Sequence, residues 1–467
     1  MTMSQGGGTR SKQPGAVLIG VAGGLFVAAI GLTAGYYVLG TKSEARAATT
    51  QLPVGAESGP AHGATATPSE VLRAYTMREV AVKTASGLTT LTWADLGVEV
   101  DPDEVGRTSV KTDADLQHLG AKASIPVRLD RDKAIAALMQ IKHKHDKSPL
   151  NAFLDLEAKE IHADTPGVGL DVWGSIPALT AAAREGAKQV DLVTVAVPAT
   201  VTKAGLGIDD ISHVMGHHLT KFAVTDRDRN FNLKLAASKL NGVVLKPGEE
   251  WSFNGTVGER SEKEGYKVAH VITAGEMVDG LAGGTCQIST TLFGAAFFAG
   301  IDIVKTTNHS RPSAYTPLAF DATVVWPDTD LKLKNPYDFP VVIHYRVANG
   351  EALVEILGKQ RPYTKIEFER NVIEETPYST EERLDEEMPE GQTSLDQAGF
   401  NGYKIERFRK FYKGSKVVKT NKWTVTYKPV TEYIRRGTST DPAAKMPVEK
   451  EVHLLKAPTS DKFVMAQ

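Results

Sequence analysis

Between residues 288 and 299 the chain runs without a charged side chain, bracketed by Gly283-Gly284 before and Gly300 after. No other stretch constrains the fold as strongly. Ile288, Leu292, Ala295, Ala296 and Ala299 recur at helical spacing, and Gly300 can close the helix in a left-handed conformation. A helix without a charged face is a buried one. The spacing therefore predicts a central helix with its domain packed around it.

Cys286, the only cysteine, stands where the glycine turn enters this helix. It has no partner for an internal disulfide. At a helix N-terminus, unpaired backbone N–H groups and the macrodipole favour a thiolate over a thiol. The same N–H groups can hold an oxyanion. A buried, inert thiol fits these residues equally well, because most free cysteines are buried.

The N-terminus bears on the choice. Residues 16–40 carry no charge and are rich in Ala, Gly, Val, Leu and Ile. At about 1.5 Å of rise per residue, the run is long enough to cross a hydrocarbon core. It exceeds a usual signal core, so an uncleaved transmembrane helix is expected; Ala45-Arg46-Ala47 is the small-x-small pattern of the alternative, a cleaved signal peptide. Arg10 and Lys12 argue that residues 1–15 stay in the cytoplasm, against the weaker pull of Lys42 and Arg46. On either reading the bulk of the chain lies outside the cytoplasm, where a single free cysteine reads as a reactive thiol.

The formal net charge of -2 leaves no basic excess for nucleic acid and no acidic solvating tail. Residues 41–69, rich in Ala, Thr, Gly and Pro, read as a flexible linker. Residues 70–204 mix strands at 88–93, 125–129 and 191–197 with helices at 131–142 and from a Ser175 cap to Gly186. This small α/β module holds no nucleophile or ligand set and suits binding. Residues 221–359 combine a helix at 231–240 with strands at 301–304, 321–326 and 331–334. The strands at 341–347 and 351–357 flank Asn349-Gly350, a strong hairpin signal. That domain is α+β with a long antiparallel component. Residues 360–398 are acidic and read as a linker. Residues 399–438 form a small basic, aromatic β module, suited to a glycan or anionic polymer, or simply a sheet with one solvated side. Residues 439–467 read as a disordered tail.

A cysteine acyl-transferase needs a base, a group that orients it and oxyanion donors. His309 sits in the polar loop Asn308-His309-Ser310-Arg311-Pro312, the kind of segment that carries catalytic residues. A structural, backbone-satisfied histidine is the rival reading. Asp321 opens the next expected strand and can orient the imidazole, or can serve as a turn residue. Gln287, Ser289 and Arg311 are candidates for binding polar substrate, and Ser289 alternatively supports the helix start. His213, His217 and His218 are the nearest approach to a metal cluster; a helix would put His213 and His217 on one face. A zinc site takes three or four ligands, and a metalloprotease helix has a glutamate inside this spacing. Neither metal nor cofactor is expected.

Together these residues resemble a known family. Val244-Leu245-Lys246-Pro247-Gly248-Glu249, Trp251-Ser252-Phe253-Asn254, Val257-Gly258-Glu259-Arg260, Gly265-Tyr266, Gly283-Gly284-Thr285-Cys286-Gln287-Ile288-Ser289-Thr290-Thr291-Leu292, Asn308-His309-Ser310, Tyr315-Thr316-Pro317, Asp321-Ala322-Thr323-Val324 and Asp330-Leu331 follow the order seen in VanW domains. The preceding segment is similar to peptidoglycan-binding modules, and the C-terminal module resembles a G5 domain. The sequence departs from the pattern at Ala282 and at Ala319-Phe320, where glycine is usual at 282 and glycine followed by a polar residue is common at 319–320. The resemblance implies peptidoglycan L,D-transpeptidation through Cys286, with His309 shuttling protons and Asp321 orienting it. Arg260, Tyr266, Thr285, Gln287, Ser289, Arg311 and Tyr315 are then the substrate-binding set. The implied partners are peptidoglycan stem peptides and glycan, with the membrane as anchor. A membrane-tethered, non-catalytic wall-binding protein is the competing class, and a zinc hydrolase built on the histidine cluster is a third.

Overall fold

The computed structural model describes residues 66–273, 276–447 and 462–467. They form a mixed α/β protein with many antiparallel strands. The expected fold class needs correction in its membrane-spanning element, because no helix among the described residues is long and apolar enough to cross a membrane. Helices Arg131–His145 and Thr285–Ala299 each have 15 residues. That is about 22 Å of rise, short of a hydrocarbon core of about 30 Å. Residues 16–40, on which the expectation fell, lie outside the described residues.

In the N-terminal module, Glu79–Thr84 pairs antiparallel with Gly87–Thr92 and parallel with Gln189–Asp191. Helices Pro68–Thr76, Arg131–His145 and Val172–Glu185 contribute to a core that contains Leu72, Trp93, Leu138 and Leu179. The last helix begins earlier than Ser175. Asp171 caps it by accepting from Gly174 N–H, while Ser175 Oγ donates to the Asp171 carbonyl.

The second domain surrounds the charge-free helix. Thr285–Ala299 runs from Gly284 at φ 103° to Gly300 at φ 81°, and every residue in it except Cys286 is buried. Phe293, Phe297 and Phe298 all meet Phe320. A four-stranded antiparallel sheet packs against the helix, in the order His213–Lys221, Glu351–Gly358, Val341–Ala348, Val244–Leu245. Its central hairpin turns at Asn349 (φ 53°) and Gly350 (φ 81°), the left-handed pair that such a turn requires. His213, His217 and His218 lie on a strand, not a helix. His218 is half-buried, edge-on against Phe320, and desolvation, then the neighbouring His217, pushes its pKa down to about 4.

Residues 321–326 alternate like a strand yet make no ladder. Ala322 N–H donates to Thr290 Oγ1 at 3.1 Å, and the Ala322 carbonyl accepts from Ser289 Oγ at 2.5 Å. Side chains of the buried helix thus satisfy Ala322, while Thr323 N–H donates to the Thr307 carbonyl and Val325 makes only an isolated bridge to Thr329.

The acidic segment expected as a linker is instead folded into Lys365–Thr376, Thr380–Pro389 and Thr393–Gln397. Its carboxylates meet arginines 39 to 54 residues on: Arg435 pairs with Asp396 at 2.7 Å and Asp385 at 3.4 Å, and Arg436 with Glu382 at 3.2 Å. Composition alone shows the charge and not its partner. The β module thus extends well before residue 399. The expected tail also contributes an edge strand, Lys462–Ala466, paired with Lys365–Thr376.

The basic, aromatic strand Gly402–Lys413 faces the neighbouring domain. Arg407 lies over the Phe293 and Trp423 rings, and Arg409 over Phe297 and Phe411. Arg409 also donates to the Ile301 and Ala296 carbonyls at 2.8 and 3.1 Å. It places a cation at the C-terminal end of the buried helix, where the macrodipole favours one.

Candidate active site

Three segments distant in sequence converge at the other end of that helix. Cys286 is its second residue and is half-buried. Sγ lies 3.4 Å from the Val324 carbonyl and shares a cavity wall with His309, whose charge acts on it. His309 is held from behind: its backbone N–H and its Nδ1 both meet Asp321 Oδ2, at 2.7 and 2.6 Å. Ser313 Oγ stands 3.2 Å from the same nitrogen. With Nδ1 engaged, Nε2 is the nitrogen left for the thiol.

The charges reinforce the geometry. Burial pushes the Cys286 thiol up, but His309, then the Val324 contact and the Arg260 guanidinium, pull it below its ordinary value. Burial pushes His309 down; Tyr315, Asp321 and Cys286 raise it well above the usual imidazole value. Burial pushes Asp321 up, and His309, with help from Tyr427, holds it below the carboxylate range. The arrangement favours a thiolate–imidazolium pair backed by a carboxylate.

The thiol opens on a cavity of about 410 Å³, lined among others by Arg229, Gln287, His309, Arg311 and Tyr315. The structure brings these together with Cys286 and sets other expected substrate residues elsewhere. Thr285 Oγ1 donates to the Ala282 carbonyl at 2.8 Å, and Ser289 to those of Ala322 and Cys286. Both are buried parts of the helix start, absent from the cavity wall. Gln287 reaches the wall, but its amide is engaged: Nε2 donates to Thr220 Oγ1 and the Lys221 carbonyl, and Oε1 accepts from Arg229 at 2.7 Å. Arg260 Nη1 donates to Asn254 Oδ1 at 2.7 Å and to the Gly258 carbonyl at 3.1 Å; the residue is absent from the cavity wall and acts on the thiol through its charge. Tyr266 is buried away from the cavity, its hydroxyl pushed up to about 12 by burial.

Sequence reasoning missed Arg229. It stands in the first turn of helix Arg227–Leu240, capped by Asp226, where a basic residue gives no signal of a site. It also missed Tyr427, which reaches Asp321 from the C-terminal module.

Comparison with known proteins supplies the family. The VanW like protein family matches residues 228–357, and the G5 domain family matches residues 368–439. The chain is a VanW-like protein with a C-terminal G5 module. It is 37% identical over 142 residues to YoaR of Bacillus subtilis, described as uncharacterized, covering 30% of this chain and 47% of that one. It is 28% identical over 152 residues to the vancomycin B-type resistance protein VanW of Enterococcus faecalis, covering 31% of this chain and 55% of that one. The VanW-like chain thus spans about half the length of these relatives. Among solved structures, the IgA1 protease G5 domain covers 17% of this chain and 98% of its own at 21% identity and a TM-score of 0.12. The HP0197 G5 structure covers 16% and 97% at 23% identity and a TM-score of 0.10.

Proposed function

We propose that this VanW-like protein acts on the cell wall outside the cytoplasm as a cysteine acyl-transferase of peptidoglycan stem peptides, of the L,D-transpeptidase type. The observation that carries this reading is the Cys286–His309–Asp321 line at the edge of a 410 Å³ cavity. The Cys286 thiolate attacks the amide carbonyl between the third, L-configured stem residue and D-Ala. The Cys286 backbone N–H stabilises the oxyanion, while the Thr285 and Gln287 amides donate to the Ala282 and Gly284 carbonyls. The C–N bond breaks as His309 gives its proton to the leaving D-Ala amine, and a thioester remains. The side-chain amine of a second stem attacks the thioester and His309 takes its proton. The C–S bond breaks, leaving a new amide and the free thiolate. Arg229 and Arg311 give the cavity the positive charge that a stem carboxylate needs. Glycan contacts fall to the G5 and N-terminal modules.

The test is incubation with purified muropeptides carrying tetrapeptide stems, followed by intact-mass analysis of the protein and its products. Wild type should show a covalent adduct and a cross-linked dimer, and Cys286→Ala neither. Product from a well-folded Cys286→Ala variant rules out this mechanism. A wild-type protein that binds muropeptides without an adduct is a wall-binding protein instead.

A further inference from the structure

Tyr427 ends strand Lys416–Tyr427 of the G5 module and is buried against the loop that carries Asp321. Its hydroxyl donates to Asp321 Oδ1 at 2.5 Å and accepts from Ala319 N–H at 3.1 Å. The other carboxylate oxygen already takes both contacts from His309. Each oxygen of Asp321 is therefore held by a different module. Two further contacts fix the same junction: Arg407 donates to the Ala319 carbonyl at 3.2 Å, and Asn308, next to His309, donates to the Thr426 carbonyl at 3.0 Å.

We propose that Tyr427 is a positioning residue of the Cys286–His309–Asp321 site, so that the G5 module is a structural part of the reaction centre. A carboxylate bonded through one oxygen can turn about its Cβ–Cγ bond; bonded through both, it holds the imidazole in one orientation. The hydroxyl also keeps a buried carboxylate ionised. Without it, Asp321 takes a proton at higher pH, and a neutral Asp321 no longer supports an imidazolium beside the thiolate. The titratable and charged groups facing Asp321 are His309 and Tyr315 from the loop and Arg407 and Tyr427 from the G5 strands; Cys286, from the helix, acts on His309 and Tyr315. Arg370 faces Tyr427 itself.

This inference concerns the state of the thiol. It rests on the acyl-transfer reading only for the use made of that thiol. Iodoacetamide alkylation of Cys286 is followed across pH in the full chain, for wild type, Tyr427→Phe, Asp321→Asn and the double variant, beside thermal unfolding. In Tyr427→Phe the acid limb should move up by about one pH unit or more, the scale of one hydrogen bond to a charged group. In the Asp321→Asn background the same change should add nothing. An unmoved profile in folded Tyr427→Phe overturns the proposal. So does an equal loss of reactivity in both backgrounds, which is what a merely structural role, including a destabilised fold, produces. Wild-type protein that shows this coupling yet never acylates on muropeptides sinks the acyl-transfer reading and leaves the role of Tyr427 standing.

Discussion

At the scale of single residues, the site sets a thiol beside an imidazole that is backed by a carboxylate. Cys286 is held below its ordinary pKa of 9.0 and His309 above its ordinary 6.5. Alkylation should therefore lose rate only as pH falls through the lowered thiol value. A midpoint at the ordinary thiol value would mean the pair does not form. Acyl transfer should fall on the alkaline side as well, above the ordinary histidine value, because the leaving amine needs the imidazolium proton. A second residue-scale test uses the departures from the family pattern. Ala282 and Ala319 both have positive φ, at 61° and 65°, the left-handed region that favours glycine. A side chain in that region costs roughly 1–2 kcal/mol. Ala282→Gly should thus stabilise the chain by about 1 kcal/mol in chemical denaturation, after the glycine's own entropy is offset. Equal or lower stability would show that the alanine is accommodated without strain.

At the scale of elements, the buried helix and the strand His213–Lys221 approach through glycine. A Cβ on Gly216 would run into the Ala299 backbone. Gly216→Ala should cost about 1–3 kcal/mol, the overpacking scale, and should shift the whole helix, Cys286 included. The readout is the denaturation midpoint together with the alkylation rate of Cys286; an unchanged midpoint refutes the close approach. This helix was legible from its lack of charge and its glycine ends. The strand expected at 321–326 was misread because period-2 alternation reports extended backbone and not what pairs with it. Here the Ser289 and Thr290 hydroxyls take the place of a strand.

At the scale of the whole molecule, the G5 module grips the buried helix at one end through Arg409 and the loop that carries Asp321 at the other through Tyr427. Arg409→Met should leave the Ala296 and Ile301 carbonyls without this cation, at a cost of about 3 kcal/mol. In wild type, the VanW-like and G5 modules should then unfold in one calorimetric transition; two separate transitions would show that the interface does not couple them. The sequence by itself determined the buried helix, the Asn-Gly hairpin and the presence of a cysteine, a histidine and an aspartate in family order. Those are local facts, set by periodicity, turn chemistry and motif. Only the tertiary structure decided that Arg229 lines the cavity, that Thr285 and Ser289 do not, that the acidic stretch is a sheet and that a tyrosine of another module holds Asp321. Each of these depends on a partner distant along the chain, and neither composition nor spacing carries the identity of such a partner.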